Sequence, residues 1–217
     1  MGVRERRKRE RSERREQILE AAEQVFLERG LSGTTMEEVA SRAELSKGTL
    51  YLYFKSKDEL YLATANRQLA DMVSRFEKAL EAGGTGIEVL ERLVRAQLEY
   101  AIEHPDHARF STTWLNTSYR LAADSPSFDE YRTSIAKLFL CGNEAIELGK
   151  RDGTVRVPGE PFELLVQLWG SMVGVTLLWV NAAEVVRRLP WTLDMDHLMH
   201  SYCDLILAAI RVPEASS

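Results

Sequence analysis

Residues 45–60, LSKGTLYLYFKSKDEL, concentrate side chains that hydrogen-bond to phosphates and to the edges of DNA bases. Lysine ammonium groups bind phosphate or guanine, and the hydroxyls of serine, threonine and tyrosine bind either target. The same segment holds three aromatic rings, Tyr51, Tyr53 and Phe54, whereas a short helix buries only one stripe. The pattern therefore predicts that the rings divide between a core and a partner.

A helix through this segment places its side chains on separate faces. At about 100° per residue, Leu50 and Phe54 share the face that packs on the rest of the domain. Gly48 and Leu52 lie opposite, where a glycine lets the backbone approach a partner and a leucine can contact thymine methyls. The flanks are formed by Lys47 and Tyr51 on one side and by Thr49 and Tyr53 on the other. The alternative is that both tyrosines only cover a small core, but the surrounding lysines and hydroxyls favour DNA.

Two capping signals predict a second helix directly before this one. Thr35-Met-Glu-Glu38 is a capping box, in which the threonine caps the first turn and the glutamate reaches back to it. Ser46 caps the following helix, and residues 43–45 form the turn between the two, which together give a helix-turn-helix pattern. Lys57 stands at the start of the next helix along the chain, where its charge and the free backbone N–H groups suit the binding of a phosphate.

Residues 14–62 as a whole resemble the tetracycline-repressor (TetR) family of bacterial transcriptional regulators. The resemblance rests on ILEAAEQVFLERG, on TTMEEVASRAELSKGTLYLYFKSKDEL, and on the Gly48-Thr-Leu-Tyr51-x-Tyr53-Phe54-x-x-Lys57 pattern within it. It implies a homodimer that binds a pseudo-palindromic, double-stranded DNA operator, usually as a repressor released by a small ligand. The DNA-contact positions that it implies are Thr35, Lys47, Gly48, Thr49, Tyr51, Tyr53 and Lys57. The helical layout adds Leu52, and Ser46 at the cap completes the predicted set.

One departure from the family pattern lies in the turn, where Leu45 and Glu44 replace the more usual Val and Gly. Glu44 must then accept a backbone conformation that glycine adopts easily. We expect a small local cost without loss of the motif.

Apolar residues recur at helical spacing through nearly the whole chain, so we predict an all-α protein. A three-helix helix-turn-helix domain is followed by a larger helical bundle for ligand binding and dimerisation. The predicted organisation is a basic arm at 1–13, a DNA-binding domain at 14–62 and a C-terminal domain at 63–217. Further helices are expected over 106–122, 127–149, 161–187 and 195–211.

The protein has a net charge of −5, but its N-terminal segment is basic, with 8 basic and 3 acidic residues among the first 15. A basic segment of this kind suits contact with a polyanion. Either the arm contacts DNA, where it follows phosphates or enters the minor groove, or it is a mobile solvated tail, which could extend the first helix. No apolar segment follows the charged N-terminus, and Cys141 and Cys203 lie far apart, so we expect no signal peptide and a reducing cytoplasm.

Aromatic and polar side chains spread over the predicted C-terminal helices suit a pocket for a small apolar or aromatic effector. The candidate pocket residues are Tyr100, His104, Phe110, Trp114, Asn116, Phe139, Trp169 and Met172. The alternative is an ordinary aromatic core. His104, beside Pro105, can equally serve as a charge at a helix C-terminus.

The apolar run 162–180 is almost long enough to span a bilayer, but it contains Glu163 and Gln167 and lacks strong flanking anchors. A helix that is apolar all round is more simply buried on two sides, by its own core and by a second subunit. We therefore expect no membrane association. The candidate dimer-interface residues are Trp169, Gly170, Val173, Gly174, Leu177 and Leu205.

The sequence carries no recognisable catalytic pattern. It has no Ser-His-Asp arrangement, phosphate loop, dinucleotide fingerprint or metal-ligand spacing, so we expect no enzyme activity, no cofactor and no metal. An enzyme of small apolar substrates is the distant alternative. A helix-turn-helix regulator without a small ligand, controlled by protein partners, is the nearer one, and a closed core without a cavity would favour it.

Overall fold

The computed structural model describes residues 2–110, 125–181 and 194–213. Across these ranges the chain is almost entirely helical, and the β pairing there is limited to an isolated bridge between Val155 and Arg211. The all-α prediction is confirmed. The helices are α1 (Val3–Gly33), α2 (Met36–Arg42), α3 (Lys47–Tyr53), α4 (Lys57–Glu81), α5 (Gly86–Glu103), α6 (Pro126–Asp152), α7 (Pro161–Val180) and α8 (Met195–Ile210).

The predicted C-terminal helices are present with shifted ends. The helix predicted over 161–187 ends at Val180, because Asn181 leaves the helical conformation and its N–H donates back to the Leu177 carbonyl. Residues 182–187 lie outside the described ranges. The helix predicted over 106–122 is helical from 105 to 110 and then also leaves the described part of the chain.

The chain divides into two compact units. The first comprises Met1–Leu69 with Thr113–Thr133, and the second comprises Ala70–Thr112 with Ser134–Ser217. Both α4 and α6 contribute residues to each unit.

The first unit has an apolar core to which α1, α2, α3 and α4 all contribute. On α1 the buried residues Ile18, Leu19, Ala22, Val25 and Phe26 recur at helical spacing. The Phe26 ring meets Tyr61 of α4 edge-on, with ring centroids 4.9 Å apart. The regular part of α1 ends at Gly30, whose φ of 68° and ψ of 173° only glycine adopts without strain. This break turns the chain toward α2.

In the second unit, α5 and α6 approach closely where two glycines meet. A Cβ atom added to Gly86 would lie 2.1 Å from the Gly149 Cα, so the contact requires a residue without a side chain. The backbone N–H of Gly86 also donates to Asp152 Oδ2 at 2.7 Å. These contacts fix the start of α5 against the end of α6. Residues of α5, α6, α7 and α8 then share one apolar core.

Candidate nucleic-acid interface

The start of α2 is fixed by the predicted capping box. The Thr35 backbone N–H donates to the Glu38 carboxylate at 2.9 Å, and Thr35 Oγ1 accepts the Glu38 N–H at 3.3 Å. The hydrogen bond from the Thr35 backbone lowers the pKa of the Glu38 carboxyl. The box satisfies N–H groups that would otherwise lack partners, which holds α2 in register before the turn.

The turn between α2 and α3 contains the strained residue that the sequence indicates. Glu44 has a φ of 56°, and within the described ranges every other residue with positive φ is a glycine. The Leu45 N–H donates to the Ala40 carbonyl at 2.8 Å, and Gln17 Nε2 of α1 donates to the Ala43 carbonyl at 3.0 Å. These bonds hold the turn despite the unfavourable conformation of Glu44.

Helix α3 divides its side chains as predicted. Leu50 and Phe54 are buried, with 0% and 1% of their surface exposed. Gly48 lies on the exposed side, and a Cβ there would meet only the Ser46 hydroxyl oxygen, at 3.8 Å. Leu52, on the same side, is 69% exposed. The helix thus presents a small glycine and a projecting leucine outward, while the opposite face anchors it.

The cap and flanks of α3 carry hydroxyl groups. Ser46 Oγ accepts the Thr49 N–H at 3.1 Å, and the two hydroxyls are 2.8 Å apart. Tyr51 is exposed, whereas Tyr53 and Thr49 are half-buried. The alternative in which both tyrosines only cover a core therefore fails for Tyr51.

Lys47 lies at the N-terminal end of α3 and pairs with Glu37 of α2. Both side chains are more than half exposed. The hydrogen bond from Lys47 lowers the pKa of Glu37, and the same bond raises the pKa of Lys47. The Lys47 ammonium also lies 5.9 Å from the centre of the Tyr51 ring. This lysine therefore stands at the predicted position but already has an acidic partner.

Lys57 begins α4, as the sequence predicts, and its side chain folds toward the end of α1. Its Nζ donates to the Thr34 carbonyl at 3.0 Å, and the Thr34 hydroxyl donates to the Gly30 carbonyl at 2.7 Å. Residue spacing gave no signal for this link between positions 23 residues apart. It positions a cation beside the N-terminus of α4 and next to Thr35.

Two arginines of α1 complete the surface, and no local sequence pattern marks either of them individually. The Arg11 guanidinium lies 5.9 Å from the Tyr53 ring centre, and that of Arg15 lies 5.4 Å from the Phe54 ring centre. These cation–π contacts place the basic part of α1 beside the C-terminal end of α3. Residues 3–15 are thus part of α1 rather than an irregular tail.

The residues predicted to line the effector pocket do not all come together. Those that the structure describes fall into separate groups in the second unit. Phe139, Trp169 and Met172 line one cavity of about 70 Å³. Its other lining side chains are apolar except for Gln97, and belong to Phe76, Leu90, Leu93, Val94, Ile135, Leu138, Leu165 and Leu168, with Gly142 completing the wall. Tyr100 and Phe110 are buried away from this cavity, and Tyr100 Oη lies 2.7 Å from His107 Nδ1. The His104 ring lies 4.7 Å from that of Tyr100, and Trp114 and Asn116 lie outside the described residues.

Helices α7 and α8 expose an apolar surface that includes the predicted dimer-interface residues. Trp169, Leu177 and Leu205 are 36%, 44% and 69% exposed. Gly170 and Gly174 face open space, and Val173 is half-buried. Within the described part of the chain, Pro161–Val180 is the one helix with the length and composition to cross a membrane, and 28% of its apolar window is buried here.

The fold and the α2–turn–α3 surface define a DNA-binding protein of the helix-turn-helix class. Residues 18–64 match the family described as "Bacterial regulatory proteins, tetR family". The HTH-type transcriptional activator FasR of Mycolicibacterium smegmatis is 43% identical over 94 residues, which cover 43% of this chain and 42% of FasR. The HTH-type transcriptional repressor KstR2 of the same species is 29% identical over 166 residues, covering 76% and 78% of the two chains.

A solved structure shares the fold over most of the length. FadR from Bacillus subtilis, in complex with stearoyl-CoA, superposes with a TM-score of 0.71 at 18% identity, covering 89% of this chain and 98% of FadR. Residues 18–64 thus match the DNA-binding domain of the TetR family of bacterial transcriptional regulators, and the chain shares its overall fold with the solved regulator.

Proposed function

We propose that this regulator is a repressor that binds a pseudo-palindromic operator as a homodimer and is released by a small, largely apolar ligand. The outward face of α3 carries the proposal. Leu52 projects into solvent between Tyr51 and Tyr53, while Leu50 and Phe54 hold the core. A leucine that is 69% exposed adds nothing to that core, whereas in a major groove it contacts thymine methyls.

Each part of the chain has a role in this proposal. Residues 14–62 bind DNA. The DNA phosphates next to α3 are contacted by Thr35, Ser46, Lys47, Thr49 and Lys57. Residues 63–217 bind the effector and pair two subunits through the exposed apolar surface of α7 and α8. Pairing sets the two recognition helices about one DNA turn apart, ~34–36 Å. The protein acts in the cytoplasm, where its DNA is.

The cavity in the second unit supports an apolar effector. Its lining offers a single polar side chain, Gln97, among aromatic and aliphatic groups. The likeness to a FadR solved with stearoyl-CoA agrees with a ligand that has an apolar portion. A closed core without a cavity would instead favour control by a protein partner, whereas the described part of the second unit contains this cavity.

The size of the cavity supports a coupling between ligand and conformation. Pockets for drug-sized ligands measure about 300–1,000 Å³, whereas this cavity measures about 70 Å³. A larger effector must therefore displace the walls, one of which is Phe76 of α4. Helix α4 begins at Lys57, beside the proposed DNA-binding surface. A ligand that displaces Phe76 therefore shifts the protein away from the conformation that binds DNA.

Footprinting on the intergenic DNA upstream of the protein's own gene tests the proposal, with and without candidate apolar effectors. We expect protection of a two-fold symmetric site that is lost when the effector is added. Protection of an asymmetric site, or the absence of a specific site there and in a genome-wide binding selection, would contradict it.

Two substitutions then test the assigned roles in gel shifts on the operator and on scrambled DNA. Tyr53→Ala should reduce discrimination between the two DNAs. Lys57→Ala should weaken binding to both alike. Identical behaviour of the two variants would count against the assignment.

A further inference from the structure

The first three turns of α1 form a helix without a core. Every residue from Val3 to Arg14 is exposed. Helices in folded domains are usually held by an apolar stripe, and one that is polar all round depends on local pairs or on a partner. This segment therefore has a face available to another molecule.

The charges of this segment are sorted by face. At about 100° per residue, the residues on one side fall within an arc of about 100°, and they are Arg4, Arg7, Lys8, Arg11 and Arg15, which we call the basic face. The opposite side carries Arg6 and Arg9, each paired with a glutamate four residues later. Arg6 lies 2.9 Å from Glu10, and Arg9 lies 3.5 Å from Glu13.

The basic face is not neutralised within the molecule at its outer end. Among the described residues, Arg4, Arg7 and Lys8 make no ion pair. Like charges three and four residues apart on a helix repel each other. A polyanion laid along the face removes this repulsion.

The inner end of the basic face is continuous with the surface of α3. Arg11 lies over the ring of Tyr53 and Arg15 over that of Phe54. The face therefore begins where the proposed DNA-reading surface ends. From Arg15 to Arg4 the helix extends about 16 Å at 1.5 Å per residue, or about five base pairs at ~3.4 Å each.

We propose that this basic face binds the phosphate backbone of DNA beyond the half-site read by α3. The inference rests on the proposed DNA-binding function and adds a sequence-independent contact to it. An anionic membrane is the poorer partner, because a surface-bound amphipathic helix inserts an apolar face and this segment offers only Val3.

A pair of matched variants tests the proposal in the full-length protein. Arg4→Gln with Arg7→Gln removes two charges from the basic face, and Arg6→Gln with Arg9→Gln removes two from the opposite face. Both variants lose the same charge, and glutamine is a good helix former. Circular dichroism checks that the helix content is unchanged.

Affinity for a labelled duplex of arbitrary sequence is then measured over a range of salt concentrations by fluorescence anisotropy. We expect the basic-face variant to lower the slope of log affinity against log salt by about 0.9 for each lost phosphate contact. The opposite-face variant should keep the wild-type slope. Equal slopes for the two variants, whether both reduced or both unchanged, would overturn the proposal.

The design separates this inference from the proposed function. If the two variants bind alike while the wild-type protein still discriminates its operator, the basic face has no role and the regulator proposal stands. If the wild-type protein binds no duplex at all, both proposals fail together.

Discussion

Lys47 of α3 forms an ion pair with Glu37 of α2, so a lysine assigned to DNA is held by an acidic side chain next to it. In the proposed DNA complex, phosphate must compete with Glu37 for the lysine ammonium group. The pair thus weakens binding and at the same time keeps the lysine oriented at the start of α3.

Removing the acidic partner should strengthen DNA binding. In Glu37→Gln the lysine is free to bind phosphate, and we expect affinity for duplex DNA to rise about two- to fivefold at low salt. The matched control is Glu28→Gln, which removes an acid paired with Arg42 and leaves Lys47 paired. An equal gain in both variants would show that only net charge matters.

Glycine at position 44 should stabilise the first unit. Glu44 has a φ of 56°, which disfavours any residue with a Cβ. We expect Glu44→Gly to raise the free energy of unfolding by about 1 kcal/mol, measured by urea denaturation. Glu44→Ala keeps the Cβ and should give no such gain. A similar gain from alanine would place the effect in the glutamate side chain rather than in the backbone.

The two leucines of α3 should separate stability from recognition. Leu50→Ala opens a cavity in a fully buried site and should cost about 2–5 kcal/mol of stability. Leu52→Ala changes an exposed side chain and should alter stability by less than about 0.5 kcal/mol. In gel shifts on folded protein, however, Leu52→Ala should reduce preference for the operator over scrambled DNA. Unchanged preference would remove Leu52 from the DNA-reading face.

The capping box should make α2 sensitive to acid. The pKa of Glu38 is lowered from 4.5, chiefly by the backbone N–H of Thr35, so the folded state favours the carboxylate. This stabilisation is present above pH about 4.5 and is lost as the pH falls through the lowered folded-state pKa. Glu38→Gln keeps a capping side chain without titrating, so its stability deficit against wild type should shrink between pH 7 and pH 3. A constant deficit in thermal melts over that range would contradict this role.

Much of the local structure of the proposed DNA-binding surface could be predicted from the sequence because its signals are local. The capping box at Thr35, the cap at Ser46 and the division of α3 between Leu50 and Leu52 depend on residues within a few positions of one another. The strain at Glu44 was indicated by the resemblance to the TetR family, whose pattern more usually has glycine at this position.

Contacts between distant residues could not be predicted in the same way. The Lys57–Thr34 hydrogen bond and the Arg11–Tyr53 contact join positions 23 and 42 residues apart, and no periodicity marks such pairs. The pocket prediction met the same difficulty. Composition brought Phe139, Trp169 and Met172 into one candidate set with Tyr100 and Phe110, but only the packing of α5, α6 and α7 shows which of them share a cavity.

A charge at Leu205 should dissociate the proposed homodimer. Leu205 is 69% exposed on α8, within the apolar surface assigned to subunit pairing. In Leu205→Glu, pairing would bury an unpaired carboxylate, so we expect monomers in sedimentation velocity experiments and weaker binding to the full operator. Leu140→Glu is the matched control, because Leu140 is 66% exposed on α6 outside that surface. If Leu205→Glu stays dimeric, or if both variants dissociate alike, the subunits pair through another surface.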